Sequence, residues 1–184
     1  MFKKRGIKYL NKCYDFRKNY DVVLACAFFP SEIFYFKKDL KEVHEFYDKI
    51  GQLIRNIGKR PYLPHKEIDL EWETEKVDSV INNIIIPNSD IVIGYLGIDS
   101  NLVQTMLYSA QRNRVQIIYL YNDSESLERL KNELDSLYKE KSLEKYIEFK
   151  KGVFELIESK DEKELLSKLE LSLNRFYENK HINI

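Results

Sequence analysis

Cysteine, tryptophan, methionine, proline and glycine are all scarce in this 184-residue chain, with two, one, two, four and six residues respectively. The two cysteines, Cys13 and Cys26, stand at no metal-binding or redox spacing. A disulfide framework is therefore not the basis of the fold, and reduced thiols in a cytoplasmic protein are expected. The sparse glycines form no Walker loop, no dinucleotide fingerprint and no nucleophile elbow. Neither sign of charge is in excess: Lys plus Arg and Asp plus Glu are each 30. No global field then draws the chain to nucleic acid or to an anionic membrane. Long apolar runs are missing too, and Met1-Phe2-Lys3-Lys4-Arg5-Gly6 does not lead into a signal-peptide core.

What is present is enough for a packed domain. Hydrophobic residues make up 43% and aromatic residues 13%, which excludes a disordered chain. The length suits one domain, residues 1–184, that buries a core without covalent staples. Val22–Ala27 is a continuous apolar run and reads as a central strand. Leu40 to Ile57 carries apolar residues at helical spacing, with Gly58 in the C-terminal cap position.

Pro61-Tyr62-Leu63-Pro64 reads as a short second strand, and Glu71 to Ile86 as a second helix stopped by Pro87. Ile91–Leu96 and Val115–Tyr121 are further strands around a helix from Asn101 to Arg112. A helix after Asn122-Asp123-Ser124, a fifth strand at Tyr146–Phe149 and a last helix from Glu162 to Glu178 complete the pattern. Val153–Ile157 either extends that strand as a hairpin or leads into the last helix. This alternation predicts an α/β fold: a doubly wound, flavodoxin-like, mostly parallel five-stranded sheet of order 2-1-3-4-5, with helices on both faces. Residues 1–20 lie outside the pattern and are expected to form a helical extension.

In such a sheet ligands bind beyond the carboxyl ends of the strands. Phe28 and Phe29 leave the first strand there, either to stack on a base or to plug the open end of the sheet. His65 follows the second strand near Glu67, Asp69, Glu71 and Glu73, yet no second metal ligand stands at a recognised spacing, so no metal is expected. His44 lies among helical charges and His181 near the chain end, and neither is given a role. Gly97-Ile98-Asp99-Ser100-Asn101 is the best candidate site. Ser100 and the free N–H groups of the following helix suit an anion, and Ser100 or Asn101 equally suits an N-cap.

The run from Asp21 to Asn122 contains A-C-A-F-F-P, F-Y-D-K-I-G-Q-L-I-R-N-I-G, P-Y-L-P-H and N-S-D-I-V-I-G-Y-L-G-I-D-S-N-L-V-Q-T-M-L-Y-S-A, in that order. In order and spacing it resembles the nucleoside 2-deoxyribosyltransferase family and its nucleotide N-glycosidase relatives. Those proteins read V-Y-L-P-H, then an Asp on a helix, then A-D-L-V-I-A-Y, then P-S-x-G-V-G-x-E-L-x-x-A. The resemblance implies cleavage of the bond between a nucleobase and its sugar. A Glu after the third strand acts at the anomeric carbon, and an Asp near the end of the second helix helps protonate the departing base.

Carried over by position, the Glu falls on Met106 and the Asp on Asn82, while the turn glycines fall on Leu102 and Gln104. Ser100 matches a phosphate-contacting serine, and Asp90 matches the family pattern at the start of the third strand. A thioether cannot replace a carboxylate, and an amide cannot exchange a proton near neutral pH. The resemblance therefore implies a degenerate member without confident catalytic residues and without a cofactor. It is expected to bind a nucleoside or nucleotide, or to act through a protein partner, as a homo-oligomer. Phe28, Phe29, His65, Asp90, Gly97, Ser100 and Asn101 are the candidate contacts. The alternative is an active deoxyribosyltransferase or nucleoside-monophosphate N-glycosidase with a relocated carboxylate among Glu67, Asp69, Glu71, Glu73 and Glu75.

Overall fold

A computed structural model describes residues 20–35, 37–68, 79–98, 100–122 and 152–182 of the chain. Its strands are β1 (Val22–Ala25), β2 (Pro61–Tyr62), β3 (Ile91–Tyr95), β4 (Gln116–Tyr121) and β5 (Val153–Glu158). They form one sheet of order β2-β1-β3-β4-β5, and every neighbouring pair is parallel. The helices are α1 (Pro30–Tyr35), α2 (Leu40–Asn56), α3 (Pro64–Glu67), α4 (Asn101–Arg112) and α5 (Glu162–Ile182). A π turn (Ile81–Ile85) followed by a 3-10 turn (Ile86–Asn88) leads into β3. The doubly wound, flavodoxin-like sheet that the sequence predicts is the one observed, with parallel strands throughout.

Alternate residues of the central strands serve two separate cores. Val22, Leu24, Ile91, Ile93, Ile118 and Leu120 pack with Tyr47, Ile50 and Ile54 of α2 and Leu165, Leu169 and Leu173 of α5. Val23, Ala25, Val92, Ile117 and Tyr119 face the other way, against Val103, Met106, Leu107 and Ala110 of α4 and Ile81 and Ile85 of the π turn. A strand covered on both faces has no solvent side, so its sequence reads as an unbroken apolar run. The interior side chains each contribute about 1.5–3 kcal/mol through burial.

Helix ends are fixed by local chemistry. Asp39 caps α2 by accepting from the Glu42 N–H at 2.9 Å. At its other end Gly58 takes φ 75°, Gly58 N–H donates to the Arg55 carbonyl and Lys59 N–H to the Ile54 carbonyl. This is the reversal that glycine allows without a Cβ clash.

Three elements differ from the sequence expectation. The fifth strand is Val153–Glu158, directly preceding α5, whereas Tyr146–Phe149 lies outside the described residues. Pro64 does not end a strand but opens α3, where a missing N–H costs nothing. Pro30 likewise begins α1, which the sequence did not announce. Residues 1–19, the 71–78 part of the expected second helix, and the expected helix after Ser124 fall outside the described residues. Among the described residues no helix is long and apolar enough to cross a membrane.

Candidate functional site

The carboxyl ends of β1, β2 and β3 meet at one edge of the sheet. Beyond β1, Cys26, Ala27 and Phe28 are fully buried, and Phe29 is half-buried with its ring 4.5 Å from that of Phe28. Phe28 belongs to the same core as Val23, Ala25 and Met106, so it plugs the end of the sheet. Phe29 is the aromatic ring left at the rim.

Beyond β3 the chain turns sharply through Gly97. Leu96 N–H donates to the Leu120 carbonyl at 2.9 Å, and Asn122 Nδ2 donates to the Tyr95 hydroxyl at 3.0 Å. Ser100 then caps α4: its Oγ accepts from Leu102 N–H at 3.2 Å, in an extended conformation and 6% exposed. Gln104 N–H bonds back to the Ser100 carbonyl. Two donors of the first turn are thus engaged with Ser100 itself. Asn101 opens α4, and its side chain lies outside what is described.

One turn further, Met106 is 0% exposed and faces the sheet. Leu102 is also buried, while Gln104 is exposed. Asn82 sits on the π turn, where its carbonyl accepts from Ser109 Oγ at 2.6 Å and ties that turn to α4. Asn82 borders an open groove of about 280 Å³ with Thr105, Tyr108, Ser109 and Arg112. The two family positions therefore look in different directions: Asn82 onto a polar groove and Met106 into the core.

His65 lies at the start of α3 with its side chain 3% exposed. Its Nε2 is 2.9 Å from Asp48 Oδ1, and Lys66 Nζ reaches the same oxygen at 2.6 Å. His44, one turn earlier on α2 than Asp48, has its ring 4.9 Å from that of His65. Among the described residues, neither His44 Nε2 nor His65 Nδ1, both buried, has a hydrogen-bond partner. Burial holds both imidazoles below the usual histidine range, against the opposing pull of the Phe28 carbonyl on His44 and of Asp48 on both. For Asp48, burial works against ionisation, but the bonds from Lys66 and His65 prevail and hold its carboxyl below the usual range.

Asp90 is placed at the amino end of β3, on the opposite edge of the sheet. Its carboxylate is paired with Lys180 near the end of α5, and its N–H donates to the Asp21 carbonyl at 2.8 Å. The structure therefore gathers Phe28, Phe29, His65, Gly97 and Ser100 at the carboxyl edge and leaves Asp90 away from them. Of the acids considered for a relocated role, Glu67 accepts from the Tyr20 hydroxyl at 3.2 Å. Asp69, Glu71, Glu73 and Glu75 lie outside the described residues. Among the described residues no group of three or more His, Cys, Asp or Glu side chains is arranged to hold a metal ion.

No protein-family model matches the chain, and no curated protein matches it by sequence. A solved structure does match: the CMP N-glycosidase BcmB of Clostridium botulinum, with a TM-score of 0.53 and 15% identity. The match covers 82% of this chain and 98% of that one. The chain has an N-glycosidase-like fold. At that identity the likeness concerns the backbone, and it extends over nearly the whole of the glycosidase chain.

Sequence reasoning passed over His44, Tyr47, Asp48 and Lys66. A signal was available in the spacing of the first three, at i, i+3 and i+4, which puts them on one face of α2. Their meeting with His65 depends on β2 lying beside β1, which spacing within a helix does not reveal.

Proposed function

We propose that this chain uses an N-glycosidase-like scaffold for binding a nucleoside or nucleotide, without cleaving it. The supporting observation is Met106: where the resemblance calls for a catalytic Glu, a thioether lies wholly inside the α4–sheet core. An oxocarbenium-like transition state needs an anion or a nucleophile at the anomeric carbon, and Met106 supplies neither. Asn82, in place of the family Asp, can hydrogen-bond a base but cannot protonate it. The ligand of this reading occupies the carboxyl edge, with Phe29 at the rim and the Gly97–Ser100 turn beside it. That edge is where parallel α/β sheets take their ligands. The reading also includes self-association, to which Phe34 and Tyr35, 65% and 80% exposed on α1, would contribute apolar surface.

The test pairs two measurements on the full chain. Thermal shift with CMP first, then with a panel of nucleosides and monophosphates, should show stabilisation by at least one of them, because binding to the native state raises the melting temperature. Chromatography of the same mixtures should show no free base. Base release would overturn the loss of chemistry, and Glu67→Gln would then show whether that acid carries it. A flat thermal response across the panel would overturn nucleotide binding and leave a protein partner as the ligand.

A further inference from the structure

The contact between α2 and α3 contains two imidazoles, each with a buried nitrogen that meets no donor among the described residues. His65 Nε2–H donates to Asp48. A neutral His65 is therefore left with an acceptor nitrogen, Nδ1, and among the described residues neither it nor the buried His44 Nε2 has a hydrogen-bond partner. Such groups are uncommon in folded proteins. With the rings 4.9 Å apart, a proton on each would set two cations side by side and near a third, Lys66. One carboxylate, Asp48, would have to serve all three.

We infer that His44 and His65 form a proton-sensitive latch, holding α3 against α2 when both rings are neutral and releasing it on acidification.

Among the described residues the surroundings offer little further compensation. On α2, Glu45 is paired with Lys41 and Lys49 with Glu162, while the Tyr47 hydroxyl donates to the Ala27 carbonyl. On α3, Glu67 accepts from Tyr20. Tyr95 of β3 lies behind Tyr47, with ring centroids 5.8 Å apart, and the β1 exit presents carbonyls of Ala27 and Phe28. His65 is the residue that must move, because its side chain is 3% exposed and it sits on a helix of only four residues. Little helical structure is lost when it leaves. The short strand β2, two residues long, is then free to loosen from β1. This inference stands on the His pair alone and does not depend on nucleotide binding.

The experiment uses the full-length protein. Hydrogen exchange read by mass spectrometry, corrected for intrinsic rates, compares residues 61–68 with α5 at about pH 7.5 and about pH 5, the range over which imidazoles charge. The expected result is several-fold faster exchange of residues 61–68 at the lower pH, with α5 unchanged. NMR of the imidazole protons should show both rings titrating below the ordinary value, and His44→Gln should move the His65 midpoint upward and weaken the acid response. Equal corrected exchange at the two pH values overturns the latch. Equal acceleration in α5 overturns it too, since the transition would then be global. An acid response and a His65 midpoint both unchanged in His44→Gln exclude the pair as the sensor.

Discussion

The Tyr95 hydroxyl occupies the space that a β-carbon on Gly97 would need, 2.2 Å from its ideal position. Tyr95 Cζ lies 2.3 Å from the same point and Asn122 Oδ1 2.8 Å. The glycine is needed here for close approach between the end of β3 and its own turn. Gly97→Ala should destabilise by about 1–3 kcal/mol, the usual cost of forcing a methyl into packed space. The double variant with Tyr95→Phe should remain about as unstable, because the ring carbon is still in the way. Urea unfolding of the three proteins checks this, and full rescue by Tyr95→Phe would show that the hydroxyl alone sets the limit.

Met106 gives the most direct link between stability and the proposed loss of chemistry. Met106→Ala should cost about 2–5 kcal/mol through lost burial and the cavity left behind. Met106→Glu restores the acid of the resembling family but places it at a site that is 0% exposed. It should be less stable than Met106→Gln, which has nearly the same shape and no charge. Burial disfavours the ionised acid and raises its pKa. The gap between the two should therefore widen as pH rises above about 4.3, the ordinary Glu value. A gap independent of pH would mean that the carboxylate reaches water, and base release by Met106→Glu would mean that the pocket is still open to substrate.

The parts of this fold that were legible in the sequence are those whose local signal and tertiary role agree. Val22–Ala25 and Ile91–Tyr95 read as strands because both faces are covered and every residue is apolar. Gly58 and Ser100 read as helix caps because their chemistry acts within a few residues. The fifth strand was not legible in the same way. Val153–Glu158 is only partly buried and carries Glu155 and Glu158, with a register irregularity between Ile117 and Ile118 of its neighbour. Such a segment resembles a lead-in to a helix as much as a strand. The His44–His65 contact was not legible at all, since it joins residues on separate elements through the pairing of β1 with β2. At the candidate site the sequence located the turn and its Ser100, whereas the direction of Asn82 and the burial of Met106 needed the packing of α4.

The ends of α2 and α4 use the same hydrogen-bond reversal with different residues. Gly58 closes the first at φ 75° and Arg114 closes the second at φ 59°, with Arg114 N–H bonded to the Gln111 carbonyl and Val115 N–H to the Ala110 carbonyl. A left-handed non-glycine residue carries a steric penalty of roughly 1–2 kcal/mol. Arg114→Gly relieves it but adds freedom to the unfolded chain, which costs about 0.5–1 kcal/mol. A net gain of roughly 0.5–1 kcal/mol is expected, and Gly58→Ala should lose stability by a similar amount. The two midpoints of urea unfolding check the opposite signs.

The histidines and Asp48 make acid stability fall in two windows, one opening at 6.5 and the other at 3.8. In the folded chain burial places His44 and His65 below their ordinary value of 6.5. The unfolded state then binds more protons as pH falls through 6.5, so stability drops there and goes on dropping until pH reaches the folded values. Asp48 is also lowered, from an ordinary 3.8, because the bonds from Lys66 and His65 outweigh its burial. Its contribution is present above 3.8 and is lost as pH falls through its folded value. Proton uptake on unfolding, taken from the slope of stability against pH, should therefore show an upper step from the imidazoles and a lower one to which Asp48 contributes. His44→Gln should reduce the upper step. Asp48→Asn should reduce the lower step and also lower the His65 midpoint further, because the ring loses the carboxylate that favours its charged form. An Asp48→Asn protein in which His65 titrates at a higher pH than in the parent would contradict the assignment, whatever happens to its overall stability.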